Sequence, residues 1–151
     1  NQATLVGQKV RVKASGGGTT VLSPGDSGCY CLFDTAATSQ WTLPAPAAGL
    51  EYTFINTITA TADHVITVNT ANTDGFLGGF ITTSTTADNA DAFSADADGS
   101  NDFITLNGGT TGGLAGTRIH VVCIDGENWA VDGQIVASGG TVATPFGDSQ
   151  I

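Results

Sequence analysis

Short runs of apolar residues recur along the chain, and clusters of Gly, Ser and Pro separate them. Within residues 51–55, Tyr52 and Phe54 occupy alternate positions, so their side chains share one face of an extended segment. This period of two predicts β-strands, with Tyr52 and Phe54 in the core. We predict strands at residues 4–12, 19–22, 29–33, 40–43, 51–58, 64–68, 76–82, 103–106, 118–124, 128–131 and 134–137.

Residues 120–133 contain two such runs on either side of Asp125-Gly126. An Asp-Gly pair in this position predicts a tight hairpin, because Gly readily adopts the positive φ that a right-twisted pair of strands needs at its turn. Residues 119–124 are apolar at every position except His120. We therefore expect this strand to be covered on both faces, by a second sheet or by a neighbouring subunit.

The number and spacing of the strands predict an all-β fold, an antiparallel β-sandwich with a jelly-roll-like topology. The 151 residues fit a single domain. We divide it into an extended basic N-terminal arm (1–18), a sandwich body (19–142) and a C-terminal tail (143–151). Pro145 and Phe146 lie in this tail, which has little else to hold it to a core, so we expect it to become ordered only against a neighbouring molecule.

Residues 82–102 interrupt the regular spacing of strands. They contain five of the fourteen acidic residues and few apolar ones, which predicts a long, exposed acidic loop anchored by Phe93. Within it, Asp96, Asp98 and Asp102 surround a Gly turn and form a weak candidate for a calcium site. The Gly comes one ligand too early and no Glu closes the site, so a solvated acidic loop without metal is the preferred interpretation.

The charge balance excludes some partners. The net charge is −10, and nucleic acids and anionic lipids are bound by neutralising their phosphates with Lys and Arg. We expect no direct binding to nucleic acid. We also expect no membrane contact, because no window approaches the roughly 18 consecutive apolar residues of a membrane span.

Three of the four basic residues are Lys9, Arg11 and Lys13, and no acidic residue precedes Asp26. A spacing of two places the three side chains on the same side of an extended segment. Two interpretations remain open: the cations pair with acids of their own domain, or they dock on an acidic patch of a partner.

The three cysteines, Cys29, Cys31 and Cys123, are an odd number, and an i, i+2 pair on one strand is poorly placed for a disulfide. We expect reduced, buried thiols, as in a protein that folds in a reducing cytosol. Neither histidine completes a zinc-binding spacing with them. We expect no metal and no other cofactor.

Residues 25–28 read Gly-Asp-Ser-Gly, the setting of the nucleophile in chymotrypsin-like proteases, so Ser27 is a formal candidate for a catalytic serine. That family places its His and Asp before the Ser, whereas His64 and His120 both follow Ser27 here. We interpret residues 24–28 as a turn and do not expect an enzyme.

Two segments resemble a known group of proteins. Residues 41–55 are similar to the "TLP-x-P-x-x-G-x-x-Y-x-F" run of structural proteins of tailed bacteriophages, and residues 125–131 resemble the "DG-x-x-W-x-V" hairpin of the same domains. In the first segment, Pro44 and Pro46 end a strand and Gly49 lets the chain turn into the next one.

The resemblance implies a small β domain on a phage particle, and the short chain without shaft-like repeats favours a capsid decoration (cement) protein. Such a protein would bind the major capsid protein and copies of itself as a homo-oligomer, a trimer in our expectation. It would be made in the host cytoplasm and reside on the outer capsid surface. Lys9, Arg11, Lys13, Pro145 and Phe146 are the expected partner-binding residues.

The alternative is a receptor- or glycan-binding β module of a phage tail or fibre or of a bacterial surface protein. Trp41 and Trp129 would be its candidates for stacking on sugars, although both lie within strand patterns. This alternative predicts exposed aromatic side chains beside the acidic loop.

Overall fold

The computed structural model describes residues 11–71 and 73–148, which form two β-sheets packed face to face. The larger sheet contains, in spatial order, β1 (Val12–Ala14), β3 (Tyr30–Phe33), β5 (Glu51–Asn56), β10 (Arg118–Cys123), β11 (Asn128–Ala137), β7 (Gly75–Ser84) and β8 (Asn89–Ser94). The smaller sheet contains, again in spatial order, β12 (Phe146–Gly147), β9 (Phe103–Leu106), β6 (His64–Thr67), β4 (Ser39–Thr42) and β2 (Gly18–Val21). The predicted all-β fold with two stacked sheets is confirmed.

Both sheets are mixed, whereas the sequence analysis predicted antiparallel pairing. The first six strands alternate between the sheets, so β1, β3 and β5 are parallel neighbours in one sheet and β2, β4 and β6 are parallel neighbours in the other. This half of the chain therefore coils through both sheets. Alternation of apolar residues is the same for parallel and antiparallel strands, so it did not reveal the coil. A jelly roll is not confirmed.

Aromatic side chains from both sheets fill the core. Tyr52 and Phe54 are fully buried, as predicted, and Trp41 and Trp129 are buried with them. The ring of Trp41 lies 6.2 Å from that of Phe54 across the two sheets, and Trp129 lies 6.0 Å from Tyr52. The Tyr52 hydroxyl donates a hydrogen bond to the carbonyl of Ser23 at 2.9 Å, which satisfies its polar end.

The predicted hairpin is confirmed. Strands β10 and β11 pair antiparallel, and Gly126 has a φ of +90° at the turn. The Asp125 carboxylate accepts hydrogen bonds from the backbone N–H groups of Glu127 and Asn128 at 2.9 and 2.7 Å, which fixes the turn. Strand β11 runs without a break through Gly133, where two separate strands were predicted.

The predicted acidic loop at residues 82–102 is wrong for most of its length. Strands β7 and β8 form an antiparallel hairpin across it, with a turn at residues 85–88. Small residues and Thr dominate this segment, and they pair as strands although they carry few apolar side chains. Phe93 lies directly opposite Phe80 in that hairpin.

The expectation that the tail orders only against a neighbour is also wrong for its described part. Strand β12 pairs with β9, and Pro145 is buried. Phe146 is only 9% exposed and stacks on Phe80, with ring centroids 4.9 Å apart. The Phe146 ring and the pairing of β12 with β9 together anchor this segment to the core.

Two local predictions are confirmed. The segment after β4 turns at Gly49, whose φ is +92° and whose N–H donates to the Cys123 carbonyl at 2.9 Å. All three cysteines are buried free thiols.

Within the described part of the chain, no helix has the length and apolar character needed to cross a bilayer.

Candidate functional site

The candidate site lies on the side of the larger sheet that is turned away from the core, which we call the outer face. The strand register places Thr53 of β5, His120 of β10 and Asp132 of β11 side by side across it. Neighbouring residues on adjacent strands have their side chains within contact distance. The centre of the outer face is therefore polar.

His120 is held between two carboxylates. Its Nε2 lies 3.2 Å from Oε2 of Glu51, and its Nδ1 lies 3.1 Å from Oδ1 of Asp132. Each ring nitrogen of His120 thus faces one carboxylate oxygen, and a carboxylate only accepts hydrogen bonds. The three side chains are partly exposed and can exchange these contacts for contacts with a ligand or partner.

Two adjoining depressions form a groove across the outer face. The first, of about 520 Å³, surrounds His120 and is also lined by Tyr30 and Arg118. The second, of about 620 Å³, lies between β11 and β8. Both are lined by Asp132 and Gly133, so they meet at β11.

Glycines of β7 and β11 line the second depression: Gly78, Gly79 and Gly133. The pairing of β11 with β7 is interrupted between Val131–Gly78 and Gln134–Ile81. Gly78 has a φ of +102°, and a Cβ there would lie 2.4 Å from the Val131 carbonyl oxygen. A side chain at this position would clash with fixed backbone, so the two strands depend on glycine to approach here.

Apolar side chains flank the polar centre. Ile81 is 51% exposed, and Leu77 and Val122 are partly exposed on the same face. Only one face of β10 is covered within the described residues, so the second cover expected for residues 119–124 is not supplied by this part of the chain. A neighbouring subunit in that role remains a prediction.

The structure places Lys13 on β1, the edge strand of the larger sheet, and Arg11 directly before that strand. Lys13 Nζ lies 2.9 Å from Oδ2 of Asp26, and Arg11 donates to the carbonyls of Gly25 and Ser27 at 2.6 and 2.5 Å. The hydrogen bond with Lys13 lowers the pKa of the Asp26 carboxyl to about 2. Both residues thus join β1 to the 3₁₀ turn at Pro24–Asp26, as in the intramolecular interpretation. Lys9 lies outside the described residues.

The calcium candidates are not gathered into a ligand set. Asp102 is buried, whereas Asp96 and Asp98 are exposed. Asp96 accepts from the Ser100 hydroxyl at 3.3 Å and Asp98 from the Ser100 N–H at 3.1 Å. Within residues 11–71 and 73–148, no three His, Cys, Asp or Glu side chains are arranged to hold a metal ion.

Ser27 lies in the predicted turn, where its Oγ accepts a hydrogen bond from the N–H of Glu51 at 3.1 Å. The ring nitrogens of His120 face the two carboxylates described above. Those of His64 face the Asn56 amide and the carbonyls of Thr35 and Ala37. Neither imidazole is therefore bonded to Ser27 as a general base would be.

The tryptophans are buried too deeply to stack on sugars. Both Trp41 and Trp129 have no exposed surface, and neither indole N–H has a hydrogen-bond partner among the described residues. Their role is in packing.

Sequence reasoning missed the set of Glu51, His120 and Asp132. A signal was present: a hairpin centred on Gly126 places His120 opposite Asp132, since both are six residues from the turn. Glu51 could not be found in this way, because the pairing of β5 with β10 spans more than sixty residues and leaves no local pattern.

Comparison with known proteins does not assign a family: the chain matches no protein-family model and no curated protein sequence. The fold defines the chain as an all-β protein of two mixed sheets.

Proposed function

We propose that this chain is a virion structural protein of a tailed bacteriophage, a decoration protein that binds the outer capsid surface and joins neighbouring major capsid protein subunits. The observation that carries the proposal is the outer face of the larger sheet, a broad surface that the described residues leave uncovered. The resemblance of residues 41–55 and 125–131 to phage structural proteins supplies the class of partner.

The composition of the outer face suits contact with another protein. Ile81, Leu77 and Val122 provide apolar area, and Glu51, His120 and Asp132 provide polar groups that are already oriented by one another. Protein interfaces combine apolar area with polar contacts, and here the polar groups lie at the centre with the apolar side chains beside them. A sheet also holds its side chains on a rigid framework, so little conformational entropy is lost on docking.

A decoration protein stabilises a shell by contacting several subunits at once. Each additional contact is formed at high effective concentration, so several weak contacts give tight binding. We propose a closed homo-oligomer, a trimer, because a cyclic assembly presents several copies of the same face to a symmetric shell. All its contacts must break together before the shell expands.

The test is occupancy on the particle. We expect the protein on the outer surface of purified virions in a cryo-electron map, and we expect purified protein to rebind shells that lack it. Ile81→Asp should reduce occupancy at limiting protein by about tenfold. Val21→Asp is the control, because Val21 is 64% exposed and belongs to β2 of the smaller sheet, away from this face. Absence of the protein from purified virions would overturn the proposal.

A second candidate function is glycan binding by the groove. Its first depression combines carboxylates, an imidazole and Arg118 with the ring of Tyr30, and such groups can bond to sugar hydroxyls and stack on a sugar ring. A glycan array, read with and without a chelator, tests this alternative. Binding that Glu51→Gln abolishes would favour it over capsid decoration.

A further inference from the structure

Strand β8 is an edge strand with its backbone available. Its partner on one side is β7, and no strand of residues 11–71 and 73–148 pairs with its other side. Ala95 donates its N–H to the Gly78 carbonyl at 2.9 Å, which fixes the alternation of hydrogen-bonded pairs along this hairpin. It follows that Ala90, Ala92 and Ser94 direct their N–H and C=O groups away from β7, toward the free edge.

Both faces of β8 are open beside this edge. Five of its six residues are exposed, and Phe93 is half-buried. The second depression of the groove lies against Ala92 on the outer face. A further depression of about 340 Å³, lined by Phe93, Phe146 and Thr144, lies against the same strand. An added strand would therefore have space for side chains on each of its faces.

The surroundings of β8 are acidic. Asp88, Asp91, Asp96 and Asp98 are all exposed in the hairpin and the turn that follows it. Residues 14–117 contain no Lys or Arg, so no basic side chain of this segment balances those carboxylates. A partner that supplies Lys or Arg would gain charge complementarity at this edge.

We propose that β8 accepts an extended, basic segment of a different protein as an additional strand of the larger sheet. Main-chain hydrogen bonds to Ala90, Ala92 and Ser94 would provide affinity. Alternate apolar side chains would enter the depression beside Ala92 or the one beside Phe93, and Lys or Arg side chains would face the carboxylates. This inference extends the proposed function but does not depend on it, because it names the chemistry of the segment and not the particle.

Strand β8 of a second copy is a poorer occupant of this edge. Pairing β8 with β8 of another copy would bring the Asp91 carboxylates and their acidic neighbours of both copies together. Like charges opposite one another in a sheet are destabilising. The edge therefore favours a basic segment over the β8 strand of a second copy.

The test uses the full chain and synthetic peptides. We expect an acetylated hexapeptide of alternating Val and Lys to bind, with NMR shift changes and slowed amide exchange at Ala90, Ala92 and Ser94. The peptide of alternating Val and Glu has the same strand propensity pattern and the opposite charge. We expect it to bind at least about tenfold more weakly.

A backbone variant separates strand addition from general charge attraction. Ala92→Pro removes an N–H that points to the free edge and leaves the β7–β8 hydrogen bonds in place, so we expect the variant to fold. This variant should bind the Lys peptide about tenfold or more weakly than the wild type does. Ala92→Thr keeps the N–H and should bind the Lys peptide like the wild type. A circular dichroism spectrum and thermal midpoint close to those of the wild type confirm that the variant is folded.

Equal binding of the Lys peptide to wild type and to folded Ala92→Pro would overturn the inference, as would equal binding of the Lys and Glu peptides. A dimer in sedimentation velocity that Ala92→Pro disrupts would also overturn it, in favour of a second copy. The capsid proposal is judged separately: a protein that decorates virions but shows none of these peptide effects loses only the inference about β8.

Discussion

The imidazole of His64 stacks on the phenyl ring of Phe33, with ring centroids 4.5 Å apart and ring planes 6° from parallel. His64 is fully buried between the two sheets. Asn56 donates its side-chain N–H to Nδ1 of His64 at 2.8 Å and a second one to the Gly113 carbonyl at 3.1 Å. Nδ1 is therefore the acceptor, and the proton lies on Nε2, which donates to the Thr35 carbonyl at 2.9 Å.

Burial lowers the pKa of His64 below its ordinary value of 6.5. The unfolded chain then binds this proton more readily than the folded protein, so the free energy of unfolding falls as pH decreases below 6.5. Denaturant unfolding, followed by Trp fluorescence at a series of pH values from about 8 to about 5, measures this fall.

His64→Gln should remove this part of the pH dependence, even though it also lowers stability at neutral pH. His120→Gln is the matched control, because it leaves His64 in place and should retain the fall. A His64→Gln variant with the same pH dependence as the wild type would contradict the assignment.

The Lys13–Asp26 ion pair gives a second pH effect. Because the hydrogen bond with Lys13 lowers the pKa of Asp26 to about 2, the unfolded chain takes up the proton first, and the stabilisation is present above pH 3.8 and lost as pH falls toward 2. Both side chains are partly exposed, so we expect Asp26→Asn to lower the unfolding free energy by about 1 kcal/mol at neutral pH.

The same variant should unfold with a shallower pH dependence between pH 3.8 and about 2. Asp98→Asn is its control: Asp98 is exposed and, among residues 11–71 and 73–148, accepts a hydrogen bond from Ser100 of its own turn, so it should have a smaller effect on stability. If Arg11 and Lys13 also dock on a partner, Asp26→Asn would free Lys13 and leave partner binding intact, whereas Lys13→Ala would weaken it.

Gly78 should be far less tolerant of substitution than Gly126. The two have similar backbone angles, with φ of +102° and +90°, so Ala carries a similar conformational cost at both. A Cβ at Gly78 would also lie 2.4 Å from the Val131 carbonyl oxygen, whereas nothing lies within 4 Å of one at Gly126. We expect Gly78→Ala to cost roughly 2 kcal/mol more than Gly126→Ala in denaturant unfolding. Equal losses would mean that the two strands do not approach closely here.

The thiols should be unreactive in the folded protein. All three cysteines are buried, and burial raises the pKa of the Cys31 thiol to about 12, so thiolate is scarce at neutral pH. A colourimetric thiol reagent should react at a rate limited by unfolding and label three thiols in denaturant. Val21→Cys, at a position that is 64% exposed, is the positive control and should react at once. Fast labelling of the wild type in native buffer would contradict this burial.

Much of the fold could be predicted from the sequence, because it follows from interactions between residues close together in the chain. Alternation placed Tyr52 and Phe54 in the core, Asp125-Gly126 marked its hairpin, and Gly49 marked a turn. Each of these signals depends on residues close together in the chain: side chains that alternate in a strand or a glycine that adopts positive φ. The strand at Asn89–Ser94 was missed because its small and acidic residues carry no alternating apolar signal.

The sequence by itself determined most of the strands, the class of fold and the aromatic residues of the core, because these follow from short-range periodicity and burial. Only the tertiary structure decided that β1, β3 and β5 lie parallel, that Lys13 faces Asp26, and that Glu51 and Asp132 hold His120. Those contacts join strands that are distant in the chain. Their register is set by the packing of the two sheets as a whole, and no local segment encodes it.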